Sequence, residues 1–255
     1  MIRETGRVWS GALITPRGGQ MLVGITGRWK VPRVTLPASA GTTAEGKRVR
    51  SSSTWIGLDG ARSYLNSSLP QIGTGQNVIV KNGKMEPEYF AWHEWWCAGH
   101  FSHPIRLDLP IKPDDWIRCT LTVDTLTRVI FHMKNETTGL EVASFPVDAP
   151  NKPPVAGSSA PPIQRLISGA TAEWITERPS DPDTDKPYEL ANYGTVVFEN
   201  CLANAASDPD SARENQTLDG ATLRDMVQIS QNRPELISRA ELQGPQSVAT
   251  FYRGS

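Results

Sequence analysis

The sequence predicts an all-β protein made of two packed antiparallel sheets. Apolar residues recur at every second position: Ile105, Leu107, Leu109 and Ile111, then Ile117, Cys119, Leu121 and Val123, then Val129, Phe131 and Met133. Such alternation buries one face of a strand and wets the other. Turn-forming clusters separate the runs, and helical periodicity is nearly absent. The 20 prolines and 21 glycines among 255 residues fit a chain with many turns.

In chain order, strands are expected at 20–31, 54–58, 77–81, 88–97, 171–177, 194–200, 225–230 and 247–252, with several more between 104 and 148. The clusters Lys112-Pro113-Asp114-Asp115 and Asn135-Glu136-Thr137-Thr138-Gly139 supply tight turns. Residues 209–225 are the weakest strand and have room for a helical turn. The Pro-rich stretches 149–163 and 178–189 read as long surface loops, since the strand pattern resumes in the same style beyond them. Residues 1–6 read as a mobile end. The expected organisation is a tail over 1–8 and a single domain over 9–255.

Composition removes several function classes. The 26 Lys+Arg and 27 Asp+Glu nearly cancel and form no basic stripe, so no nucleic-acid partner is expected. No apolar run approaches the roughly 20 residues of a membrane span, so no membrane partner is expected. The start, MIRETGRVWSG, lacks the apolar stretch of a signal peptide. Cys97, Cys119 and Cys201 are too few for a dense disulfide framework and read as buried free thiols. Sequons at Asn66, Asn135 and Asn215 would permit glycosylation of a secreted chain.

Three segments carry candidate chemistry. In Tyr89-Phe90-Ala91-Trp92-His93-Glu94-Trp95-Trp96, strand geometry puts Trp92, Glu94 and Trp96 on one face and His93, Trp95 and Cys97 on the other. A carboxylate between two tryptophans suits an aromatic groove for an extended ligand; a solvated edge strand is the plainer alternative. In Ala172-Glu173-Trp174-Ile175-Thr176-Glu177, both acids fall on the Ile175 face, and a core-facing carboxylate needs a partner or a function. The strand Thr54 to Leu58 ends at the turn signal Asp59-Gly60. Leu69-Pro70-Gln71-Ile72-Gly73-Thr74-Gly75 follows, with glycines that would let the backbone bend around Gln71.

In this order the segments resemble the glutamic peptidase (eqolisin) family. The resemblance runs through Trp9-Ser10-Gly11, residues 55–60, Gln71, residues 92–95, the 135–139 turn, residues 172–177 and residues 193–198. It implies a jelly-roll-like (concanavalin-type) sandwich and an endopeptidase working in acid, with Gln71 and Glu177 as its catalytic pair. Trp9, Asp59, Trp92, Glu94, Trp96 and Glu173 would line or support the substrate groove. It implies polypeptide substrates, a secreted monomer, and no metal or cofactor.

The chemistry of the side chains fits those roles. An ionised Glu177 accepts hydrogen bonds and can take a proton from water, while the Gln71 amide can donate to a developing oxyanion. Two departures stand out. Fungal members are very acidic, whereas this chain would carry about +30 with its carboxylates protonated, from 26 Lys+Arg and 4 His. That self-repulsion predicts a milder acidic optimum. Fungal members also place an Asp soon after the glutamine, where this chain has Gly75-Gln76, and Gln76 is a second candidate for the amide.

Three other readings compete. His93, Cys97, His100 and His103 are zinc-ligand types without a standard spacing. Glu94 and Glu177 could be the acid pair of a carbohydrate-active sandwich. A catalytically inactive peptide- or glycan-binding module is the third.

Overall fold

A computed structural model describes residues 2–36, 47–61, 68–81, 84–97, 103–152, 163–181 and 184–254. Among them the protein is all-β, with no helix. The expected strands are present, and several are longer than the pattern suggested. The one expected at 54–58 runs Lys47–Leu58, and the one expected at 77–81 runs Ser68–Lys81. Gly73 and Gly75 therefore lie inside a continuous strand and make no bend at Gln71.

Hydrogen bonding links the main strands into one continuous ribbon that folds back on itself. One arm starts at Ile105–Leu107 and passes through Lys84–Cys97, Ser68–Lys81, Lys47–Leu58, Ala172–Glu177 and Trp9–Ile14, all antiparallel. It reaches Thr222–Ser230, whose first residues pair with Trp9–Ile14 and whose later residues pair with Arg233–Gly244. The other arm continues through Ser247–Tyr252, Thr195–Ala206, Met21–Lys30, Trp116–Thr125, Arg128–Asn135 and Glu141–Asp148.

The arms enclose a core of Val, Ile, Leu, Phe and Trp side chains. Polar atoms on the facing strands are satisfied across it. Trp174 donates to the Thr26 carbonyl at 2.9 Å, and Trp29 donates to Thr74 Oγ1 at 3.1 Å. The His93 ring packs against Phe131 and Phe145 in this core, with a pKa lowered by burial. Cys97, Cys119 and Cys201 are buried free thiols.

Three expectations are corrected. Residues Ile2–Gly6 form a strand, parallel to Thr222–Met226, and are not a loose tail. They show no alternation because four of the five side chains are exposed. The 209–225 stretch holds a short strand, Glu214–Gln216, and no helical turn. Asn135 is fully buried, and its amide nitrogen is spent on Asp115 (2.8 Å) and the Pro110 carbonyl (3.2 Å), so this sequon offers no glycan acceptor. The 149–163 loop narrows to a small ladder of Asn151–Lys152 with Ile163–Gln164; its residues 153–162 lie outside the described set.

Candidate active site

Residues directly opposite in antiparallel strands share a face. The registers therefore define one side of the first arm as three rows. The first row is Leu13, Glu173, Gly57, Gln71 and Glu94. The second is Arg224, Gly11, Ile175, Trp55, Gly73, Trp92 and Arg106. The third is Trp9, Glu177, Ser53, Gly75 and Phe90. The opposite side of the same strands carries Trp174, Ile56, Ile72, His93 and Trp95 and faces the main core.

Large side chains on this face occupy space that glycine leaves. A Cβ at Gly73 would lie 2.3 Å from the Thr54 carbonyl oxygen and 2.5 Å from Trp55 Cβ. A Cβ at Gly75 would lie 2.2 Å from the tip of the Phe90 ring. Trp55, Leu69, Trp92 and Ile175 form a separate buried apolar cluster, flanked by Trp9 and Phe90.

Glu177 sits at the end of its strand with part of its surface still open to solvent. Two indoles hold its carboxylate: Trp9 Nε1 donates to Oε1 at 3.1 Å, and Trp55 Nε1 donates to Oε2 at 2.7 Å. Trp9 and Trp55 meet edge to face, with ring centroids 5.1 Å apart. Burial among these rings pushes the carboxyl up to about 7. The two indole donors counteract that shift, and the negative charge of Glu94 adds to it.

Gln71 is buried and donates from Nε2 to Glu94 Oε2 at 3.1 Å. That bond turns the amide oxygen away from Glu94, and Gln71 Oε1 is a buried acceptor without a partner. Nε2 keeps a second hydrogen. Gln76 faces the opposite side, bonded to Thr74 Oγ1 at 2.6 Å and fully buried, so it does not join this face.

The remaining acids have different surroundings. Glu173 is sealed from solvent beside Asp59, Thr171 and the Ala61 amide, and burial holds its carboxyl well above the ordinary range. Both of its oxygens lack a well-formed hydrogen bond. Asp59, with φ of 66°, accepts from the Ser168 amide (2.6 Å), the Ser168 hydroxyl (2.8 Å) and the Ala170 amide (2.8 Å). It thereby pins the loop that leads into the Glu173–Glu177 strand, and burial raises its pKa against those bonds. Both acids are buried, Glu173 completely. Trp92 is likewise buried and donates to Ser53 Oγ at 3.1 Å, so it is floor. Trp96 is 39% exposed and offers open aromatic surface.

Sequence reasoning missed Trp55 and Ser53 as parts of this site. The Trp55 motif was visible, but its contact with Glu177 spans 122 residues and leaves no local pattern. The zinc-like set is not assembled among described residues: His93 and Cys97 face the core, and no group of three or more metal-ligating side chains occurs there. His100 lies outside the described set.

The sequence profile of the peptidase A4 family matches residues 7–252. No curated protein sequence matches the chain. Several solved structures share its fold. Scytalido-glutamic peptidase with a peptide-based transition-state analogue is 20% identical, with a TM-score of 0.63, 97% of this chain covered and 98% of that one. SCP-B, an eqolisin-family member with the tripeptide Ala-Ile-His, is 20% identical at a TM-score of 0.61, with the same coverage. Aspergilloglutamic peptidase from Aspergillus niger is 20% identical at 0.60, covering 80% of this chain and 99% of its own.

Proposed function

We propose that this chain, which belongs to the peptidase A4 (eqolisin) family of peptide-bond hydrolases, cleaves polypeptides with Glu177 as general base and Gln71 as oxyanion donor. The observation that carries the reading is the setting of Glu177. It is a half-buried residue whose carboxylate is held by two indole N–H groups, with its pKa lifted to about 7 by burial. A base poised near its operating pH takes a proton efficiently and gives it back.

In this reading the ionised Glu177 removes a proton from a water, and the water oxygen attacks the scissile carbonyl. The second hydrogen of Gln71 Nε2 donates to the resulting oxyanion, while Glu94 fixes the amide. Glu177 then returns its proton to the departing amine, so protons balance and no covalent enzyme intermediate forms. Gln71 and Glu177 lie two strands and four residues apart, about 16 Å between Cα atoms from standard strand spacings. Side chains leaning inward by about 4–5 Å each would leave room for a water and a peptide carbonyl. Trp96 at the rim supplies aromatic surface for an extended substrate. We read the two facing arms as the layers of a jelly-roll-like sandwich that acts as a single monomeric domain.

The carbohydrate-active alternative needs Glu94 as a free acid, yet Glu94 is buried against Gln71. A denatured protein substrate incubated from acidic to neutral pH, with an aspartic-peptidase inhibitor present, tests the proposal. Wild type should cleave, and Glu177→Gln and Gln71→Ala should not. A folded wild type that leaves protein intact but cleaves glycans would reverse it.

A further inference from the structure

Arg224 is a charged side chain on the site face that the proposed reaction does not use. It sits opposite Gly11 in the middle row, beside Trp9. Its guanidinium carbon lies 5.7 Å from the Trp9 ring centroid, within cation–π range. The N-terminal strand holds it there. Glu4 accepts from Arg224 Nη2 at 2.8 Å, and Gly6 passes under the stem, where an added Cβ would touch Arg224 Cδ at 3.4 Å. The parallel ladder of Ile2–Gly6 with Thr222–Met226 fixes this arrangement. Arg224 Nε is buried without a partner.

We propose that Arg224, clamped by Glu4 of the N-terminal strand, is a positioning residue that acts through the Trp9 indole on Glu177. Positive charge over an indole draws electron density from the ring and makes its N–H a stronger donor. The Trp9 N–H donates to Glu177 Oε1, so Arg224 favours the ionised carboxylate without touching it. Glu94 opposes this across the face, and Glu173 on the central strand also feels Arg224. Glu4 is the carboxylate on the N-terminal strand that faces the guanidinium. The inference rests on Glu177 as the base, but its central contact can be read without turnover.

The test follows the Trp9 indole N–H resonance by NMR across pH, assigned by its loss in Trp9→Phe. In wild type it should titrate with Glu177 and stop titrating in Glu177→Gln. Arg224→Met keeps the stem and removes the charge. It should raise the midpoint by about half a pH unit, equivalent to about three-fold less ionised Glu177 in acid. Arg224→Lys should restore most of the wild-type midpoint. The acid limb of kcat should move with the resonance, while KM changes little. A wild-type that never cleaves would sink the peptidase reading and leave this titration intact. An unmoved midpoint in Arg224→Met, with only a lower Tm, would reduce Arg224 to a structural ion pair. If that variant does not fold, Arg224→Gln, which keeps a polar side chain and removes the charge, must raise the midpoint likewise, and no shift there overturns the proposal.

Discussion

Trp55 donates its indole N–H to Glu177 Oε2 across 2.7 Å while standing midway along the register diagonal from Glu177 to Gln71. One ring thus anchors the proposed base and floors the space between it and the proposed oxyanion donor. Removing the donor while keeping the ring should separate these roles. Trp55→Phe is expected to raise the Glu177 midpoint further, because the lost bond favoured the carboxylate. At pH 5 kcat/KM should fall about ten-fold, the worth of one charge-assisted hydrogen bond. Above pH 8 the loss should shrink. A uniform loss across pH would show that Trp55 matters only for shape.

The buried acids set a pH dependence of stability with a definite sign. Glu173, Asp59 and Glu177 all have pKa values raised in the fold. The folded state therefore holds extra protons, and their stabilising contribution is complete below the unfolded carboxylate range near 4. It is lost as pH climbs from there through the folded values. Glu173→Gln removes one such group and should raise Tm at pH 7 by roughly 5 °C, with little change at pH 4. Thermal unfolding at the two pH values reads this directly; equal shifts at both would contradict it. Below pH 4 the excess of cations acts in the opposite direction.

Gly73 and Gly75 look alike in sequence but should differ in tolerance. An added Cβ at Gly73 meets the Thr54 carbonyl and Trp55 Cα and Cβ, atoms that cannot step aside. At Gly75 the three nearest atoms all belong to the far edge of the Phe90 ring. Gly73→Ala should cost about 3 kcal/mol or more and reduce activity through Trp55, whereas Gly75→Ala should cost about 1 kcal/mol. Denaturant midpoints of the two variants make the comparison, and equal costs would mean the strand shifts as a unit.

Passage through a glycosylating secretory host should modify Asn215, which is exposed, and spare Asn135, which is buried and doubly bonded. Peptide mass spectrometry distinguishes the two sites. A glycan on Asn135 would mean that it is modified before the fold closes.

Much of this site was legible because strand alternation is a local property. The parity of Trp92, Glu94 and Trp96 against His93, Trp95 and Cys97 separated the two faces of that strand, and in the fold Trp95 and Cys97 belong to the main core. Parity also put Glu173 and Glu177 on one face. It could not tell a fully sealed glutamate from a half-buried one. That difference depends on Asp59, Ala61 and Thr171 packing around Glu173, while Trp9 and Trp55 hold Glu177 at the strand end. The Gln71 strand was read short because Pro70, Gly73 and Gly75 resemble breakers. The two glycines have another reason: the Thr54–Trp55 backbone beside Gly73 and the Phe90 ring over Gly75 leave no space for a Cβ. The Ile2–Gly6 strand was invisible because it buries almost nothing and gains its order from a partner more than 200 residues away.

Glu173 shares a row with Gln71 and Glu94, whereas Glu177 does not, so the choice between the two glutamates is the point most worth testing. The most direct measurement is kcat/KM on one peptide substrate at pH 6 for wild type, Glu177→Gln and Glu173→Gln. Loss of at least about a thousand-fold in Glu177→Gln, with Glu173→Gln within a few-fold of wild type, is the predicted result. The reverse pattern would make Glu173 the base and contradict the assignment of Glu177.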